Sequence, residues 1–132
     1  VFQNRSRASL RLEQIALAHA QYFHDGAFVV SVLSEADFKE AGAVRADAEP
    51  LIDVLRSVRG VRVACMLREK GSTVRGSLRA KDETDVGVIA RSLGGGGHRA
   101  AAGFTFNGSL GAARARIETE FSRLASRETE GE

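Results

Sequence analysis

This sequence lacks most of the features that would sort a short chain quickly. It has a single cysteine among 132 residues, so Cys65 has no internal disulfide partner and a small stapled secreted fold is excluded. No apolar run approaches about 18 residues, which excludes a transmembrane helix. No stretch reads as a signal peptide, and the first residue is Val1 rather than Met, which points to a cut or processed product. A cytoplasmic location is the default expectation. Charge of one sign is also missing: 19 basic against 17 acidic side chains leave +2, too little for a general nucleic-acid glue. The histidines, His19, His24 and His98, are scattered without metal-ligand spacing. Neither a G-x-S-x-G nucleophile motif nor a P-loop occurs. A complete hydrolytic site is therefore not expected in this chain.

What is present describes one folded domain. The apolar fraction of 43% and charged fraction of 27% exclude a disordered chain. A domain of this length buries roughly two thirds of its unfolded surface. Basic residues are unevenly spread. Residues 56 to 81 carry Arg56, Arg59, Arg62, Arg68, Lys70, Arg75, Arg79 and Lys81 against Glu69 alone, which predicts a local cationic face.

Residues 8 to 23 read as a helix, with Leu12, Ile15, Ala16, His19, Tyr22 and Phe23 on one stripe. His19 is expected at its packed boundary, and His24 in a turn with no role. The run 27–33 is apolar and rich in β-branched residues, as in a strand covered on both faces. Ser34 is a helix N-cap, and Gly42 ends that helix. A second helix is expected from Asp47, with Pro50 in its first turn and Leu51, Val54, Leu55 and Val58 as its stripe. Residues 61–67 and 73–79 alternate as an antiparallel hairpin that places Cys65 in the core. Asp85 caps a helix that runs into Gly94-Gly95-Gly96-Gly97-His98. Residues 101–106 form the last strand. Ser109 caps a final helix with Arg114–Glu118 and Arg116–Glu120 pairs on a solvated face, and the tail from Arg127 frays.

Four consecutive glycines are costly in backbone entropy. Linkers usually mix glycine with serine, whereas this run sits between an apolar helix and a run of small residues. That placement predicts a tight loop inside the domain, able to approach a ligand closely. Ser77 and Arg79 share strand parity, and Lys81 shares it if the strand continues. With the glycine loop, His98 and Arg99, they predict one anion site at the sheet edge. Arginine suits phosphate because of its planar fork.

The stretch Val74-Arg75-Gly76-Ser77-Leu78-Arg79-Ala80-Lys81, the apolar run from Asp85 to Ala90, and Gly94-Gly95-Gly96-Gly97-His98-Arg99-Ala100-Ala101-Ala102-Gly103-Phe104 together resemble the DHHA1 domain. This domain is the C-terminal half of DHH-family phosphoesterases. Residues 37–43 and 51–61 are similar to the nanoRNase/oligoribonuclease and phosphoadenosine-phosphate phosphatase branch. The resemblance implies an α/β fold, a mixed sheet of about four or five strands flanked by helices. It implies a linker and connecting helix at 1–24, the DHHA1 domain at 25–127 and a frayed tail at 128–132. It implies an N-terminal DHH catalytic domain in the same polypeptide, absent from this chain, that holds Mn²⁺ or Mg²⁺. In that arrangement Arg79 grips a phosphate, Gly95, Gly96, Gly97 and His98 cradle the substrate, and Ser77 and Arg99 assist. Ala80 stands where many relatives have serine. The substrates implied are short RNA or DNA oligonucleotides, dinucleotides or adenosine phosphates, and the parent protein can be a homodimer. The parent is then a hydrolase, with this chain inactive alone. The rival readings are a freestanding nucleic-acid-binding module without catalysis, and a structural domain whose glycine loop packs on a partner.

Overall fold

The computed structural model describes residues 4–130. Six strands, β1 (Gln21–Phe23), β2 (Phe28–Leu33), β3 (Val63–Lys70), β4 (Thr73–Ala80), β5 (Gly96–Gly97) and β6 (Ala101–Asn107), form one sheet in the order β1-β2-β3-β4-β6-β5. Only β2 and β3 pair in parallel, so the sheet is mixed. Five α-helices flank it: α1 (Arg7–Ala18), α2 (Glu35–Ala41), α3 (Leu51–Ser57), α4 (Val86–Ser92) and α5 (Leu110–Glu130). The α/β architecture is the expected one. The sheet has six strands where about four or five are expected, and the two not read from the residues are the short edge strands β1 and β5.

Each face of the sheet has its own core. On one side α4 and α5 press Ile89, Ile117 and Phe121 onto Phe28, Cys65, Leu78 and Phe104. On the other, α1, α2 and α3 supply Leu12, Phe38, Leu51 and Leu55 against Val29, Ala64 and Met66. Strands β2 and β3 are thus covered twice, which is why both parities of 63–67 are fully buried. Leu12 and Ala16 sit in this core, so the helix expected as a connector is packed into the domain.

Local signals account for most element ends. Ser34 and Asp37 exchange hydrogen bonds with each other's backbone N–H in a capping box at α2. Gly42, at φ +68°, closes α2. Asp85 Oδ1 accepts from Gly87 N, and Ser109 Oγ accepts from Ala112 N.

Four expectations need correction. The helix expected over 8–23 stops at Ala18, and Tyr22 and Phe23 belong to β1. The chain reverses through His24, Asp25 and Gly26, all at positive φ, so that residues 21–23 can pair with 28–30. A helical stripe and a short strand both bury Phe23, which lies 6.5 Å from Phe121, so periodicity could not separate them. The helix expected from Asp47 is a 3-10 helix (Arg45–Ala48) followed by α3. Pro50 has no N–H to continue an α-helical ladder across the break. Arg116 does meet Glu120 at 3.3 Å, but the Glu120 side chain is 7% exposed and is shared with Arg123 and Ser92. Arg114 instead donates to Gln21 Oε1 of β1. Lastly, α5 continues to Glu130, past the expected fraying point, and residues 131–132 lie outside the described ones.

Candidate anion-binding face

The helices α1–α3 lie chiefly over β2 and β3 on their side of the sheet, with α3 also reaching β4. On β4 and β6 the same side carries Arg75, Ser77 and Arg79, paired with Thr105, Gly103 and Ala101. Those side chains emerge on this side because the opposite parity (Val74, Leu78, Ala102, Phe104) is core. The shared parity of Ser77 and Arg79 is therefore a shared open face.

The glycine run divides its labour. Gly94 and Gly95 end α4: Gly94 N donates to Arg91 O at 3.1 Å, and Gly95 N to Ala90 O at 2.8 Å. Gly94 has φ +81°. This is a Schellman closure. Gly96 and Gly97 then form β5, so the expected loop is in part an edge strand. A Cβ on Gly95 would lie 2.2 Å from Gly103 O, and one on Gly97 would lie 2.5 Å from Ala102 Cα. Glycine at these two positions lets the edge approach β6. Gly96 meets nothing within 4 Å and pairs with Gly103, itself the partner of Ser77.

His98 and Ala101 exchange backbone hydrogen bonds, His98 N to Ala101 O at 2.8 Å and Ala101 N to His98 O at 3.3 Å. Arg99 and Ala100 form the two-residue turn between them. Ala101 is also the partner of Arg79. Register therefore places Arg79, Ala101 and His98 in one row across the sheet, and Ser77, Gly103 and Gly96 in the next. Arg79 and His98 stand two strands apart, about 10 Å. Arg79 Nη1 donates to the Leu78 carbonyl at 2.9 Å. Arg99 turns elsewhere, donating to the carbonyl of Asp82 at 2.8 Å. Of the seven candidate residues, Ser77, Arg79, Gly96 and His98 thus share the open face. Gly95 and Gly97 build its edge, and Arg99 ties down the loop before α4.

The basic stretch is sorted by its partners. Arg62 binds Asp82 at 2.6 Å and both oxygens of Glu128, and lies over Phe28. Glu128 first, then Asp82, raise its pKa beyond the ordinary arginine value. Arg56 pairs with Asp53, and Lys81 donates to Val58 O at 3.0 Å. Arg68, Lys70, Arg75 and Arg79 are left for the open side of the sheet.

A pocket of about 530 Å³ opens at the far end of this face, where Arg68, Lys70, Arg75 and Ser77 meet Arg45 and Glu49. Arg68 Nη2 donates to Ser77 Oγ at 2.8 Å, and Arg75 Nη1 to Thr105 Oγ1 at 3.2 Å. Burial first, and then the like charge of Arg75, hold Arg68 below its ordinary pKa. The cationic character of Arg68, Lys70 and Arg75 was legible in the sequence. Arg45 was not, because it arrives from the 3-10 helix before α3 and its sequence neighbours give no sign of the sheet. It stacks 4.5 Å from the centroid of Phe38.

Residues 25–123, three quarters of the chain, match the DHHA1 domain model. The chain belongs to the DHHA1 family. This DHHA1 domain is 34% identical over 86 residues to the bifunctional oligoribonuclease and PAP phosphatase NrnA of Thermus thermophilus, covering 65% of the chain and 25% of that protein. It superposes on an exopolyphosphatase-related protein of Bacteroides fragilis with a TM-score of 0.86 and 24% identity, over 93% of this chain and 36% of the other. The pGpG-specific phosphodiesterase PggH of Vibrio cholerae shares the fold, with a TM-score of 0.62 and 16% identity, over 89% of this chain and 39% of the other. The chain therefore spans a quarter to two fifths of the length of these relatives. Among the described residues there is no group of three or more His, Cys, Asp or Glu placed to hold a metal ion. No helix among them is long and apolar enough to cross a membrane.

Proposed function

We propose that this DHHA1 domain is the substrate-binding half of a metal-dependent DHH phosphoesterase that hydrolyses short oligonucleotides, dinucleotides or phosphoadenosine phosphate. Its partner in this reading is an N-terminal DHH domain of the same polypeptide. Mn²⁺ or Mg²⁺ bound there would activate water, and no step of that chemistry is assigned to residues of this chain. Residues 1–24 would lead in from the catalytic domain, and residues 25–127 would close over the substrate. A cytoplasmic, homodimeric parent is part of the same reading.

The observation that carries it is the row of Arg79, Ala101 and His98 on the open half of the sheet, next to Ser77 and Gly96. A guanidinium and an imidazole flank a surface kept low by alanine and glycine, where a phosphate and its sugar can lie flat. In support, the relatives' names concern oligoribonucleotides, PAP and pGpG, all of them nucleotide phosphates.

The test is Arg79→Ala in the full-length protein, assayed for dinucleotide turnover. Loss of a charged hydrogen bond costs about 1.5–3 kcal/mol, roughly ten- to hundredfold in kcat/KM. Unchanged kcat/KM would remove the phosphate grip. A freestanding nucleic-acid module would instead bind long RNA with steep salt dependence and no preference for short ligands.

A further inference from the structure

Arg68 and Arg75 are direct cross-strand partners in the β3–β4 pair. Like charges in that position repel. Arg45 adds a third guanidinium from the 3-10 helix, and Lys70 an ammonium, while Glu49 is the one acid in the lining. The side chains of Arg68 and Arg75 donate to the neutral hydroxyls of Ser77 and Thr105. Among the described residues no carboxylate bonds either guanidinium, unlike Arg62 at the other end of β3, which is matched by Asp82 and Glu128. Arg68 and Arg75, which no carboxylate bonds, thus converge with Arg45, whose Nη2 lies 3.7 Å from Glu35 Oε1, on a hollow large enough for a phosphate and its sugar. An anion there would relieve the repulsion and collect charge-assisted bonds from several directions.

This pocket is distinct from the Arg79–His98 row. Arg75 and Arg79 are four residues apart on one strand, about 13 Å at ~3.3 Å per residue. As they stand the two guanidiniums serve different partners, Arg79 the Leu78 carbonyl and Arg75 the Thr105 hydroxyl. A ligand that fills both must carry two separated phosphate groups.

We infer that the pocket where Arg45, Arg68 and Arg75 converge is a second anion subsite, which takes the terminal phosphate of a short nucleotide ligand whose other phosphate lies at Arg79. This rests on the function proposed above and deepens it, since it makes an end-phosphorylated dinucleotide the favoured ligand. Ser77 sits between the two sites and orients Arg68 through its hydroxyl. Burial first, and then the neighbouring charge of Arg75, lower the pKa of Arg68, with Glu49 acting in the opposite direction.

The experiment measures binding, by titration calorimetry of the full-length protein with EDTA present so that nothing is turned over. The probes are the RNA dinucleotides pApA and ApA. The unaltered protein should bind pApA at least tenfold more tightly than ApA. Arg75→Gln should bring that ratio close to one, and Arg68→Gln should do the same. Arg75 is exposed, so its variant keeps the test alive if the more buried Arg68 variant does not fold. Arg79→Gln should weaken both dinucleotides and keep their ratio. Equal affinities in the unaltered protein, or a tenfold ratio that survives Arg75→Gln, would overturn the subsite. A ratio that depends on Arg75 alongside unchanged turnover in Arg79→Ala would leave this subsite standing and remove the phosphate grip alone.

Discussion

The ring of Phe104 lies over Gly76, its partner across the β4–β6 pair, so closely that a Cβ on Gly76 would stand 2.1 Å from Cζ. Phe104 is 2% exposed and belongs to the core under α4 and α5. The glycine makes a slot in β4 that the aromatic ring fills. Gly76→Ala should therefore cost about 1–3 kcal/mol by overpacking, read as a lower urea midpoint with an unchanged slope. A midpoint equal to that of the unaltered protein would show that the ring can move aside.

The glycine run should respond to alanine by position. Gly96→Ala meets open space at an ordinary φ and should change stability by no more than about 0.5 kcal/mol. Gly94→Ala forces a side chain into the left-handed region and should cost about 1–2 kcal/mol. Gly95→Ala drives a methyl into the backbone of β6 and should cost the most. Thermal melts of the three variants check the order. A Gly96 variant as damaged as the Gly95 one would contradict the division into helix end and edge strand.

Acid should weaken the domain partly through Arg62. The Arg62 guanidinium is the main cause that holds Glu128 below 4.5. For Asp82, desolvation pushes upward, but bonds from Thr84 and Arg62 outweigh it and hold it below 3.8. Both carboxylates have depressed folded-state values. Their contribution is therefore complete above the unfolded values and is lost as pH falls through the folded ones. Arg62→Gln should lower Tm near pH 7, and the gap to the unaltered protein should shrink by about pH 3. Because both acids are partly exposed, the gap should be modest. A gap of equal size at both pH values would show that packing over Phe28, not charge, is what Arg62 supplies.

Cys65 should be silent toward thiol reagents. Burial in the core, opposed only weakly by Arg68, pushes its thiol far up. The thiolate is the reactive form, so labelling of the folded protein should wait on opening of the sheet. Full labelling in urea with little in buffer is the expected result. Rapid stoichiometric labelling in buffer would place Cys65 outside the core.

Caps and turns were legible from the residues because each is a local contract. Ser34 with Asp37, Asp85 with Gly87, and the Gly71-Ser72 turn between β3 and β4 are settled by groups within three residues of one another. The likeness to DHHA1 lay in the same short motifs, and it pointed to the face on which Ser77 and Arg79 emerge. The error at 8–23 has the opposite origin. A three-residue strand such as β1 owes its existence to the hydrogen bonds of β2, which no window on residues 21–23 contains. The same holds for β5, whose glycines read as a loop until β6 lies beside them.

The sequence by itself determined the α/β class, the buried two-sided strands, the helix ends and the charge of the 56–81 stretch. Tertiary structure decided which of those charges stay free. Arg62 is neutralised by residues 20 and 66 positions away, whereas Arg68 and Arg75 face each other with Arg45 brought in above them. It also decided that α1, α2 and α3 lie chiefly over β2 and β3, with α3 reaching β4, and leave Arg75 and Thr105 exposed on that face. The physical reason is the same in each case. Backbone capping is satisfied within a turn of chain, but burial and ion pairing depend on which distant surfaces are pressed together when the core closes.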